Sequence, residues 1–260
     1  MTALLAGRVV IVSGVGPGLG RDLVLACARE GANVVLVARD GDRLSRIERE
    51  VGDPSRTHCV PIAPDDPNEP TRIAAEALDR FGAIDGLVNN AATIPPLTDL
   101  VDAPTSDVTA SLDANFYPAF HLTRAVAPTM RKQRRGSIVM INSAVVRHPK
   151  REFGAYNIAK HALLGLTRSL AFELGPDGIR VNTLAPGKIG GARLTAYFEV
   201  RANERGMSPS AIEAEYANNI ALQRIPSSAE YADAAVFLLS DLSRSITGHL
   251  LDANGGEYFD

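Results

Sequence analysis

The sequence is poor in cysteine and in net charge, and it has no long hydrophobic run. Its 260 residues carry 27 Lys and Arg against 30 Asp and Glu, a net charge of −3, which argues against a protein that binds a phosphate backbone. No stretch approaches the roughly 18 apolar residues of a transmembrane helix, and the N-terminus lacks the pattern of an export signal. These absences favour a cytoplasmic protein that contacts neither membrane nor nucleic acid.

Only two cysteines are present, Cys27 and Cys59, too few for a disulfide framework. Cys27 lies among apolar residues of a helical pattern, which favours core packing over reactivity. The histidines show no ligand spacing, so we expect no metal site. One basic run, residues 131–135, follows a predicted helix end without interleaved aromatic residues, and we interpret it as a solvated helix terminus.

What the chain does contain is an alternation of short β-branched runs with longer helical patterns. The predicted strands are 8–13, 33–38, 57–62, 85–88, 136–142, 178–184 and 249–252, and the predicted helices are 18–30, 41–51, 68–81, 105–133, 153–174 and 228–240. Apolar strands that alternate with helices predict a parallel sheet covered on both faces. Because no linker interrupts the pattern, we expect one domain over residues 1–260, a doubly wound three-layer α/β/α sheet of the Rossmann type.

Residues 188–225 form the only long irregular insertion in this pattern. Leu194, Tyr197, Phe198 and Arg201 have helical spacing, and Ser208-Pro209 is a start signal for a second helix through about 222. Ordinary packing explains such an apolar face, but its position after a strand end favours a substrate lid. We call residues 188–225 the lid.

A glycine-rich turn joins the first predicted strand to the first predicted helix. Gly14, Gly18 and Gly20 allow a tight turn and a close approach of the backbone to a pyrophosphate at the helix N-terminus. A purely structural turn is the alternative, and the position after the first strand favours nucleotide binding. Arg39 follows the second strand where NAD-binding sites carry an acid, which favours NADP(H) over NAD(H). Asp40 reaching the ribose, or Arg39 as a solvated loop residue, are the other interpretations.

Polar side chains also collect near the carboxyl ends of the later strands. Tyr156 and Lys160 lie four residues apart, hence on one face of a helix, and Ser143 ends the strand before it. Asn115 lies on the preceding helix, and Asn90 follows the fourth strand. Parallel sheets bind ligands at this edge, so we expect these groups to converge there.

Together these motifs resemble the short-chain dehydrogenase/reductase family, in its single-domain form of roughly 250 residues. The resemblance covers essentially the whole chain, in the family's order. It rests on the glycine loop at 14–20, Asn89-Asn90-Ala91, Asn115, Ser143, Tyr156 with Lys160, Pro186-Gly187 and Asp252-Ala-Asn-Gly-Gly256.

The resemblance implies roles for the polar groups. Tyr156 would be the general acid/base during hydride transfer, and Lys160 would favour its phenolate and bind the nicotinamide ribose. Ser143 would orient the substrate oxygen, and Asn115 would hold a water in a proton relay. The implied cofactor contacts are Gly14, Gly18, Leu19, Gly20, Arg39, Asn90, Ala91, Tyr156, Lys160, Pro186, Gly187 and Ile189. Family members are commonly homotetramers or homodimers, so self-association is expected.

Several positions depart from the family's usual pattern. Ala63 stands where an Asp usually contacts adenine, although Asp65 and Asp66 follow closely. Gly190 and Gly191 follow Ile189 where the family often has a Thr that binds the cofactor. Ser13, Pro17 and Ala92 are milder departures.

The leading hypothesis is an NAD(P)(H)-dependent oxidoreductase that interconverts a secondary alcohol and a ketone. The alternative is a nucleotide-binding regulatory or scaffold protein without turnover, and a sugar-nucleotide epimerase is disfavoured because the chain lacks a larger substrate domain. Apolar residues predict a hydrophobic small-molecule substrate; these are Ile94, Pro95, Pro96, Tyr197, Phe198, Val200 and Met207. Arg147, Lys150 and Arg151 offer the opposite possibility, an anionic substrate tail.

Overall fold

A sheet of parallel strands forms the centre of the computed structural model, which describes residues 3–63 and 66–259. The strands are β1 Val9–Ser13, β2 Asn33–Ala38, β3 Thr57–Pro61, β4 Gly86–Asn89, β5 Gly136–Ile141, β6 Ile179–Pro186 and β7 Leu250–Ala253. Their order across the sheet is β3-β2-β1-β4-β5-β6-β7, with every neighbouring pair parallel. The predicted parallel sheet is confirmed.

Helices cover both faces of this sheet. They are α1 Leu19–Arg29, α2 Gly41–Val51, α3 Glu69–Phe81, α4 Thr105–Asn115, α5 Tyr117–Gln133, α6 Gly154–Leu174, α7 Ala192–Arg205, α8 Pro209–Asn218 and α9 Ser228–Leu239. Side chains of α1, α2 and α9, such as Leu23 and Ala235, bury one face. Side chains of α3, α5 and α6, such as Ile73 and Leu163, bury the other. The predicted three-layer α/β/α arrangement is therefore confirmed.

The single helix predicted over 105–133 is wrong, because the chain breaks at Phe116 into α4 and α5. Phe116 has φ −111° and ψ −56°, away from regular helical values. Pro118 explains the break: it has no N–H to donate to the carbonyl four residues earlier, and its ring crowds the preceding turn. Proline is tolerated in a first helical turn, so α5 starts afresh there. The break leaves Asn115 as the last residue of α4.

The lid consists of α7 and α8, which pack on each other around a small core of their own. Phe198, Ala202 and Ile212 are its buried centre, with Met207 packed against them. The second helix ends at Asn218, earlier than predicted. The chain leaves the helix there because Ala221 and Leu222 donate backbone hydrogen bonds to the C-terminal tail, residues 254–259, at 3.2 and 3.1 Å.

The arginines of the basic run at the end of α5 form ion pairs with acidic residues of neighbouring segments. Arg131 and Arg134 both pair with Asp177, at 3.1 and 2.6 Å. Arg135 donates to the buried carboxylate of Asp85 at 2.7 Å. These pairs tie the end of α5 to the start of β6 and to β4.

Candidate active site

A large cleft runs along the carboxyl ends of the strands. The chain passes from β1 to β2 and β3 on one side of the sheet and continues with β4 on the other side, so β1 and β4 flank a switch point where α/β sheets bind ligands. The cleft encloses about 2040 Å³, more than the roughly 300–1,000 Å³ that suits one drug-sized ligand. It has room for a dinucleotide and a second molecule.

The glycine loop is held tightly at two of its glycines. A Cβ on Gly14, whose φ is +88°, would lie 2.6 Å from the Cα of Ala91. A Cβ on Gly20 would lie 2.5 Å from the carbonyl oxygen of Gly14. The amide of Asn90 donates to that same carbonyl at 2.7 Å, so the loop is fastened to the end of β4. These positions require glycine for packing within the protein.

Gly18 is different, because its surroundings are open. Its φ is +84°, and a Cβ there would meet no atom within 4 Å. It precedes Leu19, the first residue of α1, and therefore occupies the N-cap position. Because glycine has no side chain, no side chain caps the start of this helix. Leu19 and Gly20, at the start of this helix, line the cleft beside this space. Open space in front of an uncapped helix N-terminus fits a pyrophosphate, and thus a dinucleotide.

Beyond the loop, Arg39 lies exposed at the edge of the cleft. Its neighbour Asp40 is engaged locally: its carboxylate caps α2 by accepting from the N–H of Arg43 at 2.9 Å, and it pairs with that guanidinium at 2.9 Å. The N–H bond and the charge of Arg43 hold the pKa of Asp40 below its usual value. Asp40 therefore serves the start of α2, and Arg39 is the basic group presented to the cleft.

Ala63, which stands where the family usually has an Asp that contacts adenine, lies two residues after β3. Ala63 lines the cleft, and its N–H donates to Glu69 at 2.9 Å rather than to a neighbouring strand. Asp66 also lines the cleft, whereas Asp65 lies outside the described residues. This end of the cleft thus offers a backbone turn stabilised by Glu69.

Ser143 and Tyr156 meet at the floor of the other half of the cleft. Ser143 lies two residues after β5 and accepts from the N–H of Val145 at 3.3 Å, while Tyr156 lies in the first turn of α6 and is 8% exposed. Burial raises the pKa of Tyr156 to about 12; its hydrogen bond with Ser143 and the charge of Arg193 act in the opposite direction. Ser143 thus caps a turn and contacts the phenol at once.

Lys160 lies one turn along α6 and is fully buried. Its ammonium donates to the carbonyl of Ile141 at 3.0 Å and lies 5.4 Å from the centre of the Tyr156 ring. Burial lowers the pKa of Lys160 to about 8. From the sequence we expect Lys160 to lower the pKa of Tyr156. In the structure burial dominates instead, and the cation that lowers this pKa is Arg193.

The side chain of Asn115 is committed to the backbone of the strand end beside it. Its amide donates to the carbonyl oxygens of Thr93 at 2.8 Å and Ser111 at 2.9 Å, and its oxygen accepts from the N–H of Thr93 at 3.0 Å. It is 1% exposed. Asn115 therefore fixes the chain after β4, and this carboxamide has no bond to Lys160. The water-relay role stays a prediction.

Pro186, Gly187 and Ile189 line the cleft after β6, as expected for residues that would frame a nicotinamide. The structure adds a partner that sequence patterns did not indicate, the C-terminal tail. Lys188 forms a largely buried ion pair with Glu257, whose side chain is 4% exposed. A Cβ on Gly187 would lie 2.7 Å from this carboxylate. Because the two residues are far apart in sequence, spacing alone gives no signal for the pair.

The predicted apolar wall is only partly present. Tyr197 and Ile94 line the cleft, together with Leu97 and Leu194. Phe198 and Met207 belong instead to the lid's own core, and Val200 is 56% exposed. On a helix, successive residues point in different directions, so only one face of α7 can reach the cleft. That face also carries Arg193, which the sequence patterns did not single out.

Comparison with known proteins agrees with this geometry. A family model described as enoyl-(acyl carrier protein) reductase matches residues 14–257. The dehydrogenase/reductase SDR family member 4 of Oryctolagus cuniculus is 33% identical, over 97% of this chain and 94% of its own. The chain belongs to the short-chain dehydrogenase/reductase family.

Bacterial relatives in this family are named as oxidoreductases. Oxidoreductase UcpA of Salmonella typhimurium is 32% identical over 97% of this chain and 95% of its own. An uncharacterized oxidoreductase of Mycobacterium tuberculosis is 34% identical over 97% and 92%. A crystal structure described as ribose-5-phosphate isomerase from Brucella melitensis superposes with a TM-score of 0.86 and 28% identity, over 99% and 94% of the two chains.

Membership of this short-chain dehydrogenase/reductase family makes the protein an oxidoreductase of the NAD(P)-dependent kind. Within residues 3–63 and 66–259, no three His, Cys, Asp or Glu side chains are grouped so that they could hold a metal ion. Nor does any helix in the described chain have the length and apolar character needed to cross a membrane.

Proposed function

We propose that the protein interconverts a secondary alcohol and a ketone, with Tyr156 as the general acid/base and Ser143 as the group that orients the substrate oxygen. The observation that carries this proposal is that Ser143 and Tyr156 both line the floor of the cleft, with Ser143 close enough to lower the pKa of the phenol. Two hydroxyls that converge on one point can both bond a single carbonyl or alkoxide oxygen placed there.

The pKa of Tyr156 favours the acid role. Burial holds it near 12, so the phenol keeps its proton at neutral pH and can donate it to an oxygen that gains negative charge. In the reverse direction the phenolate must form, and the charge of Arg193 would stabilise it. This cation partly compensates for the low polarity of the pocket.

The cofactor that we assign is NADP(H). When bound, its nicotinamide would supply or accept the hydride. Gly14, Gly18, Leu19 and Gly20 would hold the pyrophosphate, Asn90 and Ala91 the adenosine side, and Pro186, Gly187 and Ile189 the nicotinamide. The preference for the phosphorylated form rests on Arg39, which faces the cleft while Asp40 is occupied by Arg43.

Tyr156→Phe tests the proposal directly, because it removes the transferable proton and keeps the ring. We expect turnover of an alcohol and ketone panel, followed at the nicotinamide absorbance, to fall about 10²–10⁴-fold, while NADPH binding stays within about threefold. Tyr117→Phe is the matched control, since Tyr117 also lines the cleft but is 41% exposed and lies on α5. Near-normal turnover in Tyr156→Phe would contradict the assignment.

The same panel separates an enzyme from a nucleotide-binding scaffold without turnover. Tight NADPH binding by the wild-type protein, with no oxidation of the cofactor by any ketone of the panel, would favour the scaffold. The buried Lys160 argues for the enzyme. Burying an ammonium is costly, and an ionisable group buried 5.4 Å from the ring of Tyr156 is typical of a site where such groups serve catalysis.

A further inference from the structure

The half of the cleft around Tyr156 has an excess of positive charge. Lys150, Lys188 and Arg193 line it together with the acid Glu257, and Asp113 of α4 also lines the cleft. The chain as a whole carries a net charge of −3, so this local excess is opposite in sign to the protein. Clefts lined by one sign of charge concentrate ligands of the other sign.

One of these three cations is already neutralised. Lys188 pairs through its ammonium with Glu257, and its backbone N–H donates to the same carboxylate at 3.2 Å. Tyr258 donates to Glu257 at 3.1 Å as well. This buried pair fixes the chain after β6 against the C-terminal tail, and Lys188 is not available to a ligand.

Lys150 has a different setting from its basic neighbours. Arg147 pairs with Asp252 at 2.9 Å, and Arg151 pairs with Asp99 through both carboxylate oxygens, at 2.5 to 3.0 Å. Lys150, between them in sequence, lines the cleft, and no carboxylate of the described residues lies within 4 Å of its ammonium. Partial burial and the charge of Lys188 lower the pKa of Lys150, while the charge of Glu257 acts in the opposite direction. Lys150 is an exposed residue, so its ammonium is accessible to an anion in the cleft.

Arg193 approaches the same region from the lid. It is the second residue of α7, lines the cleft, and stands close enough to Tyr156 for its charge to act on the phenol. In the described part of the chain it too lacks a carboxylate within ion-pair distance. Two cations from separate segments, the β5–α6 loop and the lid, thus line the cleft without an ion pair to any described carboxylate, and one of them, Arg193, acts on Tyr156.

We propose that the substrate is an oxo acid, or the corresponding hydroxy acid, whose carboxylate binds between Lys150 and Arg193 while its carbonyl meets Tyr156 and Ser143. The inference rests on the proposed function and adds the substrate class. A guanidinium and an ammonium together suit a single carboxylate, and Leu194, Tyr197 and Ile94 supply apolar contacts for the carbons between the two groups. In reduction the carbonyl carbon gains a hydride from the reduced cofactor, which is oxidised, and the oxygen gains the proton of Tyr156.

The test uses straight-chain methyl ketone acids with zero to four methylenes between carbonyl and carboxylate, each paired with its methyl ester. We expect at least one acid to be reduced with a kcat/KM about tenfold or more above its ester. Raising the salt concentration to 0.5 M should lower the value for the acid and spare the ester. Lys150→Gln should lower kcat/KM for the acid about tenfold through KM and leave the ester within about twofold.

Arg151→Gln is the matched control for Lys150→Gln, since Arg151 is the adjacent cation but is paired with Asp99. It should change neither substrate. Thermal midpoints and NADPH binding check that both variants are folded. Esters reduced as well as the acids, or Lys150→Gln acting equally on both, would overturn the inference while the proposed function stands. Turnover of neither acids nor esters, nor of any other ketone, would contradict both proposals.

Discussion

The two halves of the cleft, the one around the glycine loop and the one around Tyr156, are formed by different kinds of atoms. The nucleotide half is backbone: the glycine loop, the uncapped start of α1 and the end of β4 contact one another through main-chain atoms and the Asn90 amide. The half around Tyr156 is built from side chains, and they come from α6, the loop after β5, the lid and the C-terminal tail. In the first half Gly14 and Gly20 leave no room for a Cβ, whereas the second half depends on charge and burial.

This difference has an energetic consequence. In the nucleotide half the constraint is steric, so a substitution damages the free protein as well as the complex. Around Tyr156 the cost lies in buried polar groups, chiefly Lys160, which under the proposed function serve the chemistry at the expense of stability. Substitutions in the two halves should therefore move stability in opposite directions.

Gly14→Ala should have the largest effect. The methyl group would lie within 2.8 Å of the backbone of Asn90 and Ala91, and the φ of +88° is strained for any L-residue with a side chain. We expect a loss of about 2–4 kcal/mol in the free energy of unfolding, combining backbone strain and overpacking, together with loss of NADPH binding. Urea unfolding and cofactor fluorescence measure the two effects.

Gly16→Ala is the matched control in the same loop, because Gly16 has no positive φ and a Cβ there meets nothing within 4 Å. Its unfolding free energy should stay within about 0.5 kcal/mol of the wild type. Equal stability of the two variants would mean that the loop is not held against β4 as described.

The backbone half is also the half that sequence patterns predict well. Strand and helix periodicity places the glycine loop between β1 and α1, and α2 is predicted with the bounds that the structure has, Gly41–Val51. The break between α4 and α5 was missed because periodicity continues through Phe116, although Pro118 carried the local signal. Such features are local, so a single sequence contains them.

Lys160→Met tests the half of the cleft around Tyr156, where a substitution should raise stability rather than lower it. With its pKa lowered from 10.5 to about 8, the buried Lys160 costs the fold about 3 kcal/mol at pH 7, since each pKa unit is worth about 1.4 kcal/mol. The variant leaves the carbonyl of Ile141 without its ammonium donor, and the loss of this hydrogen bond reduces the gain in the free energy of unfolding by about 1 kcal/mol. We therefore expect the inactive variant to be about 2 kcal/mol more stable than the wild type at pH 7.

The sign of the pH dependence checks the cause. Between pH 8 and 10.5 the unfolded wild type holds the Lys160 proton and the folded protein does not, so wild-type stability from this group rises with pH. The advantage of Lys160→Met should be constant below pH 8 and shrink as the pH rises above it. An advantage that stays the same from pH 7 to 10 would show that packing, not charge burial, separates the two proteins.

The side-chain half was predicted less completely, for a physical reason. Tyr156, Lys160 and Ser143 were found because they are near one another in sequence and fit a family pattern. Arg193 and Glu257 act on the same region from the lid and the C-terminal tail, and only the folded chain brings them there. Charges act through space over several ångströms, so the pKa of Tyr156 follows from long-range placement that no local spacing encodes.

Arg39→Ser should have the smallest effect. It tests whether a single side chain at the edge of the nucleotide half selects NADPH over NADH, since the rest of this half is formed mainly by backbone atoms. Because an exposed guanidinium at the cleft edge would pair with a 2′-phosphate, we expect the Kd for NADPH to rise about tenfold and that for NADH to stay within about twofold. Arg49→Ser, in the last turn of α2 and not among the residues that line the cleft, should change neither. If NADH binds more tightly than NADPH to the wild type, Asp40 rather than Arg39 selects the cofactor, and the ion pair between Asp40 and Arg43 must open on binding.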